Sequence, residues 1–257
     1  MKPNTTSWSK VAEWYDELLE QSPDSFQAKV ILPNLLRIIE PKKGMNILDV
    51  ACGQGYFARA FHEKGATVAG CDISAELIEL AKKHSPKEIE YFTAAADHFA
   101  DVGHLQEGTF DAITIILALQ NIENLAGVFA ECAKVLKPEG RILLVLNHPA
   151  FRVPKRSSWG WDEKENKQYR RIDAYMSDEK TDIDMKPGTD KNSQKEFTVS
   201  FHRPLQVYFK ALYKAGFSVT RLEEWISHRA SQAGPRSSEE DRMRKEIPMF
   251  LCIEAHK

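Results

Sequence analysis

Residues 47–55 read Ile-Leu-Asp-Val-Ala-Cys-Gly-Gln-Gly, and their order decides the fold class. Ile47, Leu48 and Val50 make a short apolar run of the kind a strand buried on both faces needs, and Gly53 and Gly55 then let the backbone turn sharply at its carboxyl end. Residues 56–64, YFARAFHEK, resume at helical spacing with Phe57, Ala60 and Phe61 on one face. Strand, glycine turn and helix together aim a helix N-terminus and its free N–H groups at whatever approaches the turn. A carboxylate is a natural guest there.

Two ligand classes use such a turn. Gly53-x-Gly55-x-x-Ala58 fits the dinucleotide pattern loosely. Asp49, however, stands just before the turn, where it would repel a pyrophosphate but suit a ligand that carries an ammonium group beside a carboxylate. S-adenosylmethionine is such a ligand. On these residues the chain resembles the class I S-adenosylmethionine-dependent methyltransferases of the small-molecule, type 11-like kind, whose first motif is commonly D/E-x-G-x-G-x-G. Ala51 stands where the first glycine is usual.

The rest of the chain is read outward from this turn. Thr67 to Cys71 forms a second strand that ends at Asp72, about 20 residues beyond the glycines, a spacing that suits a bidentate bond to ribose hydroxyls or, more simply, the start of a helix. Ile73 follows it, and Ser74 can cap the helix AELIELAKKH. Ile89 to Ala94 is a third strand, and Phe110 to Ile116, apolar except for Asp111 and Thr114, is a fourth at the sheet centre. The resemblance implies that Asp97 and His98, after the third strand, read the adenine. It also places Leu117 beside the cofactor, and Gln120 and Asn121 in a stretch that lines the pocket. A helix at 128–136 and a strand at 141–146 follow, and VLKPEGRILLV is a familiar closing motif of the family.

Before the glycine turn, Ser7 or Ser9 can cap a helix through Val11, Trp14, Leu18 and Leu19, and Ser25 can open a second. In the resembled family such a segment covers the cofactor, which puts Trp14 and Tyr15 near it; as plain packing aromatics they would need no ligand. The implied fold is α/β: a Rossmann-like seven-stranded sheet in the order 3-2-1-4-5-7-6, its last strand antiparallel, with an inserted substrate lid. The expected divisions are a helical cap at 1–40, a cofactor-binding core at 41–147, a lid at 148–203 and the remainder of the core at 204–257. In the lid, Arg171 to Met176 and Phe197 to Phe201 read as two strands of a flap, with KPGTDKNSQKE as its tip. His228 to Lys245 reads as a long polar excursion.

Candidates for acceptor chemistry lie in and around the insertion. His148 and His202 have a reference pKa of about 6.5 that suits proton removal near neutral pH, so either can serve as a base, or both can simply bond loop backbone. Asn147 lies beside His148. Arg152, Arg171 and Arg203 can hold an anionic group, and Trp159, Trp161 and Tyr169 can wall an aromatic one.

Composition narrows the partners. The net charge is −2 with acids and bases well mixed, so no field favours nucleic acid, and 42% hydrophobic content supports a proper core. Cys52, Cys71, Cys132 and Cys252 are far apart and form no C-x-x-C pair, which argues against a metal site or a disulfide framework. No run approaches ~18 apolar residues, and the N-terminal stretch lacks an apolar h-region, so the expectation is a cytoplasmic protein without a membrane span, monomeric or homodimeric. The expected function is transfer of a methyl group from S-adenosylmethionine to a small organic acceptor, at oxygen or nitrogen rather than carbon. The competing readings are an NAD-dependent oxidoreductase, a non-catalytic cofactor-binding module and an RNA methyltransferase.

Overall fold

The computed structural model describes residues 8–20, 22–185 and 195–257. Ser7, the residues before it and positions 186–194 of the expected flap tip lie outside them. In chain order, helices α1 (Ala12–Glu20) and α2 (Leu32–Ile39) lead to β1 (Asn46–Val50), α3 (Tyr56–Glu63), β2 (Thr67–Asp72), α4 (Ala75–His84), β3 (Glu90–Thr93), β4 (Phe110–Ile116), α5 (Leu125–Val135) and β5 (Leu136–Asn147). The insertion carries β6 (Ser157–Asp162), β7 (Lys167–Ile172), β8 (Glu179–Asp184) and β9 (Phe197–His202); α6 (Leu205–Lys214), β10 (Ser218–Trp225), α7 (Ser237–Glu246) and β11 (Phe250–His256) complete the chain.

Seven strands form one sheet in the order β10-β11-β5-β4-β1-β2-β3. Counting only those seven along the chain, this is the expected order 3-2-1-4-5-7-6, with β11 antiparallel to both β5 and β10. The run Ile47-Leu48-x-Val50 is apolar on both sides of Asp49 because both faces of β1 are covered. Leu48 and Val50 pack with residues of α5 and α6, and Ile47 packs with residues of α2, α3 and α4. Full burial of such side chains contributes about 1.5–3 kcal/mol each. The strand order reverses between β1 and β4, which opens a crevice at their carboxyl ends.

The insertion departs from the expected flap. It holds two hairpins, β6 with β7 and β8 with β9, instead of a pairing of Arg171–Met176 with Phe197–Phe201. Arg171 and Ile172 end β7, after which Ala174 takes a left-handed φ of 56° and Ser177 N–H bonds back to its carbonyl at 3.1 Å. That turn cuts the run in two. The true partner of β9, Glu-Lys-Thr-Asp-Ile-Asp, lacks a clean apolar alternation because only Thr181 is buried. Two-stranded hairpins are marginal alone, and both lean on the body: the Asn121 side chain donates to Val199 O at 2.8 Å, and Gln168 N–H donates to Glu239 of α7 at 3.2 Å. Helix α7 itself lies within the stretch expected to be irregular, masked there by a composition that buries only Met243.

Among the described residues no helix is long and apolar enough to cross a membrane, and no group of His, Cys, Asp or Glu is placed to hold a metal ion.

Candidate active site

The crevice opens into a cavity of about 570 Å³, and the glycine turn forms its floor. Ala51, Gly53 and Gly55 take φ values of 58°, 57° and 81°. Such angles are free for glycine and cost an alanine roughly 1–2 kcal/mol, so Ala51 carries strain where a glycine would not. Leu117, at the end of β4, is strained in the same way with φ 53°, and it lines the opposite wall. Gly55 heads α3, and a Cβ there would run into the Tyr91 hydroxyl.

Three acids stand at the ends of successive strands. Asp49 is 1% exposed; its Oδ1 accepts from the Thr114 hydroxyl at 2.7 Å, and its Oδ2 is buried without a partner. Burial raises its pKa to about 7, against the pull of the Thr114 bond, with the Asp72 charge adding to the rise. A buried carboxylate oxygen left bare next to a helix N-terminus fits a ligand that brings an ammonium group and a carboxylate together. Asp72 lines the cavity, and its two oxygens accept Gly53 N–H at 3.0 Å and Ser74 N–H at 2.9 Å. Burial raises its pKa while those backbone bonds hold it back. Each oxygen keeps a second lone pair for a ligand hydroxyl. Asp97 lines the far wall and accepts from Asn124 Nδ2 at 3.0 Å, and Asn124 Oδ1 caps α5 through Gly127 N–H at 3.0 Å. Between these acids the lining is small and apolar, with Ile73, Ala94, Ala95 and Ala96.

The N-terminal segment closes the cavity. Trp8 and Tyr15 both line it and meet edge to face at 5.6 Å between ring centroids. Seven positions apart in a helical stretch, they share a face, whereas Trp14 is rotated by about 100° and does not line the cavity. Burial pushes the Tyr15 phenol up to about 12, with Asp72 and Asp49 adding to the rise. It is a neutral hydrogen-bond donor near pH 7, not a base.

The comparisons agree with this geometry. A family model described as a methyltransferase domain matches residues 48–144. The crystal structure of an S-adenosylmethionine dependent methyltransferase from Mesorhizobium loti superposes with a TM-score of 0.69 at 29% identity, covering 88% of this chain and 96% of that one. Over residues 48–144 the chain is similar to this methyltransferase domain family, and its sheet is the one seen in the Mesorhizobium loti S-adenosylmethionine dependent methyltransferase. The ubiquinone biosynthesis O-methyltransferase of Thiobacillus denitrificans is 34% identical over 133 residues, 49% of this chain and 54% of that protein. The chain spans about half the length of the curated relatives it matches. A glycopeptide N-methyltransferase, MtfA, complexed with S-adenosyl-L-methionine, shares the fold with a TM-score of 0.55 at 17% identity, covering 87% and 86% of the two chains.

Several residues expected at the site lie elsewhere. His148 and His202 do not face one cavity from two sides. His148 is 3% exposed in the corner after β5, where Nδ1 accepts Ala150 N–H at 3.2 Å and Nε2 meets Glu224 Oε1 at 2.7 Å. Both ring nitrogens are thus engaged. His202 is buried, and its Nε2 donates to Tyr175 O at 2.8 Å. Arg203 is also buried, donating to the carbonyls of Leu119, Ile122 and Glu123 at 3.3, 2.7 and 2.8 Å. It therefore braces the wall of the cavity from behind.

The remaining shifts are local. Gln120 folds back, its Nε2 donating to Leu117 O at 2.7 Å, while its neighbour Asn121 lines the cavity. His98 is exposed and donates its N–H to Ala95 O at 3.0 Å, so that amide is already engaged. Asn147 is exposed at the end of β5. Arg171 pairs with Asp173 at 2.8 Å. Arg152, Trp159 and Trp161 are not among the lining residues; Arg170 covers the ring of Trp159 at 5.0 Å, and Arg236 that of Trp161 at 4.5 Å. Trp8, Leu77, Glu123 and Asn124 join the lining unforeseen. For Trp8 a signal existed in its seven-residue spacing from Tyr15.

Proposed function

We propose that the protein transfers the methyl group of S-adenosylmethionine to a small organic acceptor held at the mouth of this cavity. The observation that carries the reading is the bare, buried Oδ2 of Asp49 beneath the 51–55 turn. It supports placing the ammonium group of the cofactor's amino acid part at Asp49 and its carboxylate on the N–H groups that open α3. Asp72 is then the acceptor for ribose hydroxyls and Asp97 for the adenine amine. Ile73, Leu117 and Ala94 to Ala96 pack the rings, and Tyr15 closes over them. When bound, the cofactor supplies a methyl group on sulfur that is already activated to leave.

The work left to the chain is alignment and exclusion of water. Among the described residues, the cavity is lined by Asp72, Asp97, Glu123 and Tyr15 as its ionisable groups and by no histidine. A histidine base has no support in this arrangement, and transfer by positioning suits it better. Residues 148–203 would act as the acceptor-side cover, an assignment supported by the bond from Asn121 in the cavity wall to Val199 in β9. The ubiquinone biosynthesis O-methyltransferases among the relatives make an oxygen acceptor the first choice.

Titration calorimetry tests the reading. S-adenosylhomocysteine should bind, NADH should not, and Asp72→Ala should weaken binding strongly by removing the ribose acceptor. Binding of NADH with none of S-adenosylhomocysteine would replace the transferase by an oxidoreductase. Labelled-methyl transfer into cell extract, followed by mass spectrometry, then identifies the acceptor.

A further inference from the structure

Outside the cavity, the corner after β5, the β6–β7 hairpin and α7 carry Arg152, Arg170 and Arg244, and the charges of the latter two act on Arg152. The register sets Trp159 opposite Arg170, and directly opposed residues of antiparallel strands share a face. Arg170 covers that tryptophan while its Nε donates to Phe151 O at 3.0 Å and its Nη2 to Ser157 Oγ at 2.7 Å. The Phe151 carbonyl belongs to the residue just before Arg152. From the other side, α7 docks on β7 through Glu239, and Arg244 further along the helix donates from Nε to Ser231 Oγ at 3.2 Å.

Of the three arginines only Arg244 has an acid acting with it, Asp241, whose carboxyl is held down first by its bonds to Ser231 and then by the Arg244 charge. Arg152 Nε is buried and has no hydrogen-bond partner. Among the described residues, none of the three arginines has an ion pair with a carboxylate. Two nearby acids are committed elsewhere, Glu239 to Arg242 at 2.6 Å and Glu163 to Arg236 at 2.9 Å, and Asp241 shares Ser231 with Arg244, accepting its N–H at 2.6 Å. Burial pushes the Arg152 guanidinium down, and the charges of Arg170 and Arg244 push it further. Desolvated like charges are unfavourable unless an anion joins them, and a guanidinium fork matches a pair of oxygens of a carboxylate or phosphate.

We propose that Arg152, Arg170 and Arg244 form a binding site for an oxyanion, a carboxylate or phosphate group, and that this group belongs to the methyl acceptor. The second half rests on the transferase reading above. It is supported by position: Arg152 follows soon after the end of β5 at Asn147, and β5 pairs with β4, whose end lines the cavity. Leu117 N–H, in the cavity wall, bonds Val145 O of β5 at 2.8 Å. The acceptor is on this view a small organic acid, with Trp159 and Trp161 as an apolar surface beside its charged end.

Thermal-shift titration with inorganic phosphate and with benzoate, at constant ionic strength against chloride, decides the site. At least one should raise the wild-type midpoint, and which one does so names the oxyanion. Arg152→Gln should weaken that probe about tenfold or more, since a charge-assisted bond is lost. Arg244→Gln, on the outer helix, should weaken it as well. Without any anion Arg152→Gln should melt no lower than wild type, and both variants should bind S-adenosylhomocysteine as wild type does. No response to either probe, or an equal response in Arg152→Gln, would overturn the site. Products of labelled-methyl transfer that all pass an anion exchanger unretained would overturn the assignment to the acceptor. Failure of wild type to bind S-adenosylhomocysteine would remove the transferase reading and the acceptor assignment with it, while the anion titration still decides the site.

Discussion

Asp49 and Thr114 face each other across β1 and β4, at the point where the strand order reverses, and the threonine hydroxyl bonds one carboxylate oxygen while the other stays bare. Their register makes them direct partners in the parallel ladder. The ordinary carboxyl pKa of 3.8 rises to about 7 in the fold, so the folded protein resists the charged form. A carboxyl with a raised folded pKa weakens the fold as pH climbs from about 4 to 7 and leaves a constant penalty above that. Asp49→Asn should therefore gain stability relative to wild type at pH 8, with the gain shrinking toward pH 4. Urea midpoints at several pH values measure it. The same variant should lose S-adenosylhomocysteine affinity, and wild-type binding at pH 6 should release a proton, seen as a calorimetric enthalpy that depends on the buffer.

Ala51 at φ 58° departs from the glycine usual in this motif and makes a stability test. Glycine relieves about 1–2 kcal/mol of left-handed strain and returns part of it as unfolded-chain entropy. Ala51→Gly should be stabilised by roughly 0.5–1 kcal/mol in chemical denaturation. An unchanged or lower midpoint would mean that the surroundings hold the alanine at ease.

Arg203 holds three carbonyls of the cavity wall at once. Arg203→Ala leaves them bare, and a loss of roughly 2–4 kcal/mol is expected, with weaker S-adenosylhomocysteine binding. Arg203→Lys keeps the charge but not the fork, and should recover only part of both. Destabilisation at unchanged affinity would show that the wall keeps its shape without the brace.

His148 predicts a pH effect of the opposite sign to that of Asp49. Burial lowers its pKa below the ordinary 6.5, and the bond to Glu224 only partly offsets this. A histidine held neutral contributes stability that is complete above its ordinary pKa and is lost as pH falls below it. Between pH 7 and 5 the stability of His148→Asn, relative to wild type, should therefore rise. A difference that stays flat with pH would remove His148 from the titration.

The parts of the site legible in the sequence are those carried by short range. The apolar run at 47–50, the glycines, and the acids Asp49 and Asp72 follow from where a buried strand stops, because whatever ends a strand in such a sheet lies at its ligand-binding edge, whereas Asp97 was placed by the family resemblance. Ser74 was legible as a cap for the same reason, and its hydroxyl accepts Leu77 N–H at 3.2 Å. Composition could not separate β8 from a charged loop, since a hairpin exposed on one face and lightly packed on the other leaves no apolar alternation.

By itself, then, the sequence determined the doubly covered sheet, the turn and the row of acids, all settled by contacts within a few residues along one strand or helix. Tertiary structure alone decided where the long polar side chains went. His148 found Glu224 across 76 positions, and Arg203 found Leu119 across 84. Most buried donors and acceptors are paired wherever their partner lies, and both of these found theirs in distant parts of the chain. In the same way Asn121 entered the cavity while Gln120 did not, because successive residues of the short 3₁₀ turn Leu119–Asn121 point about 120° apart and only the packing of that turn against β9 says which one faces in.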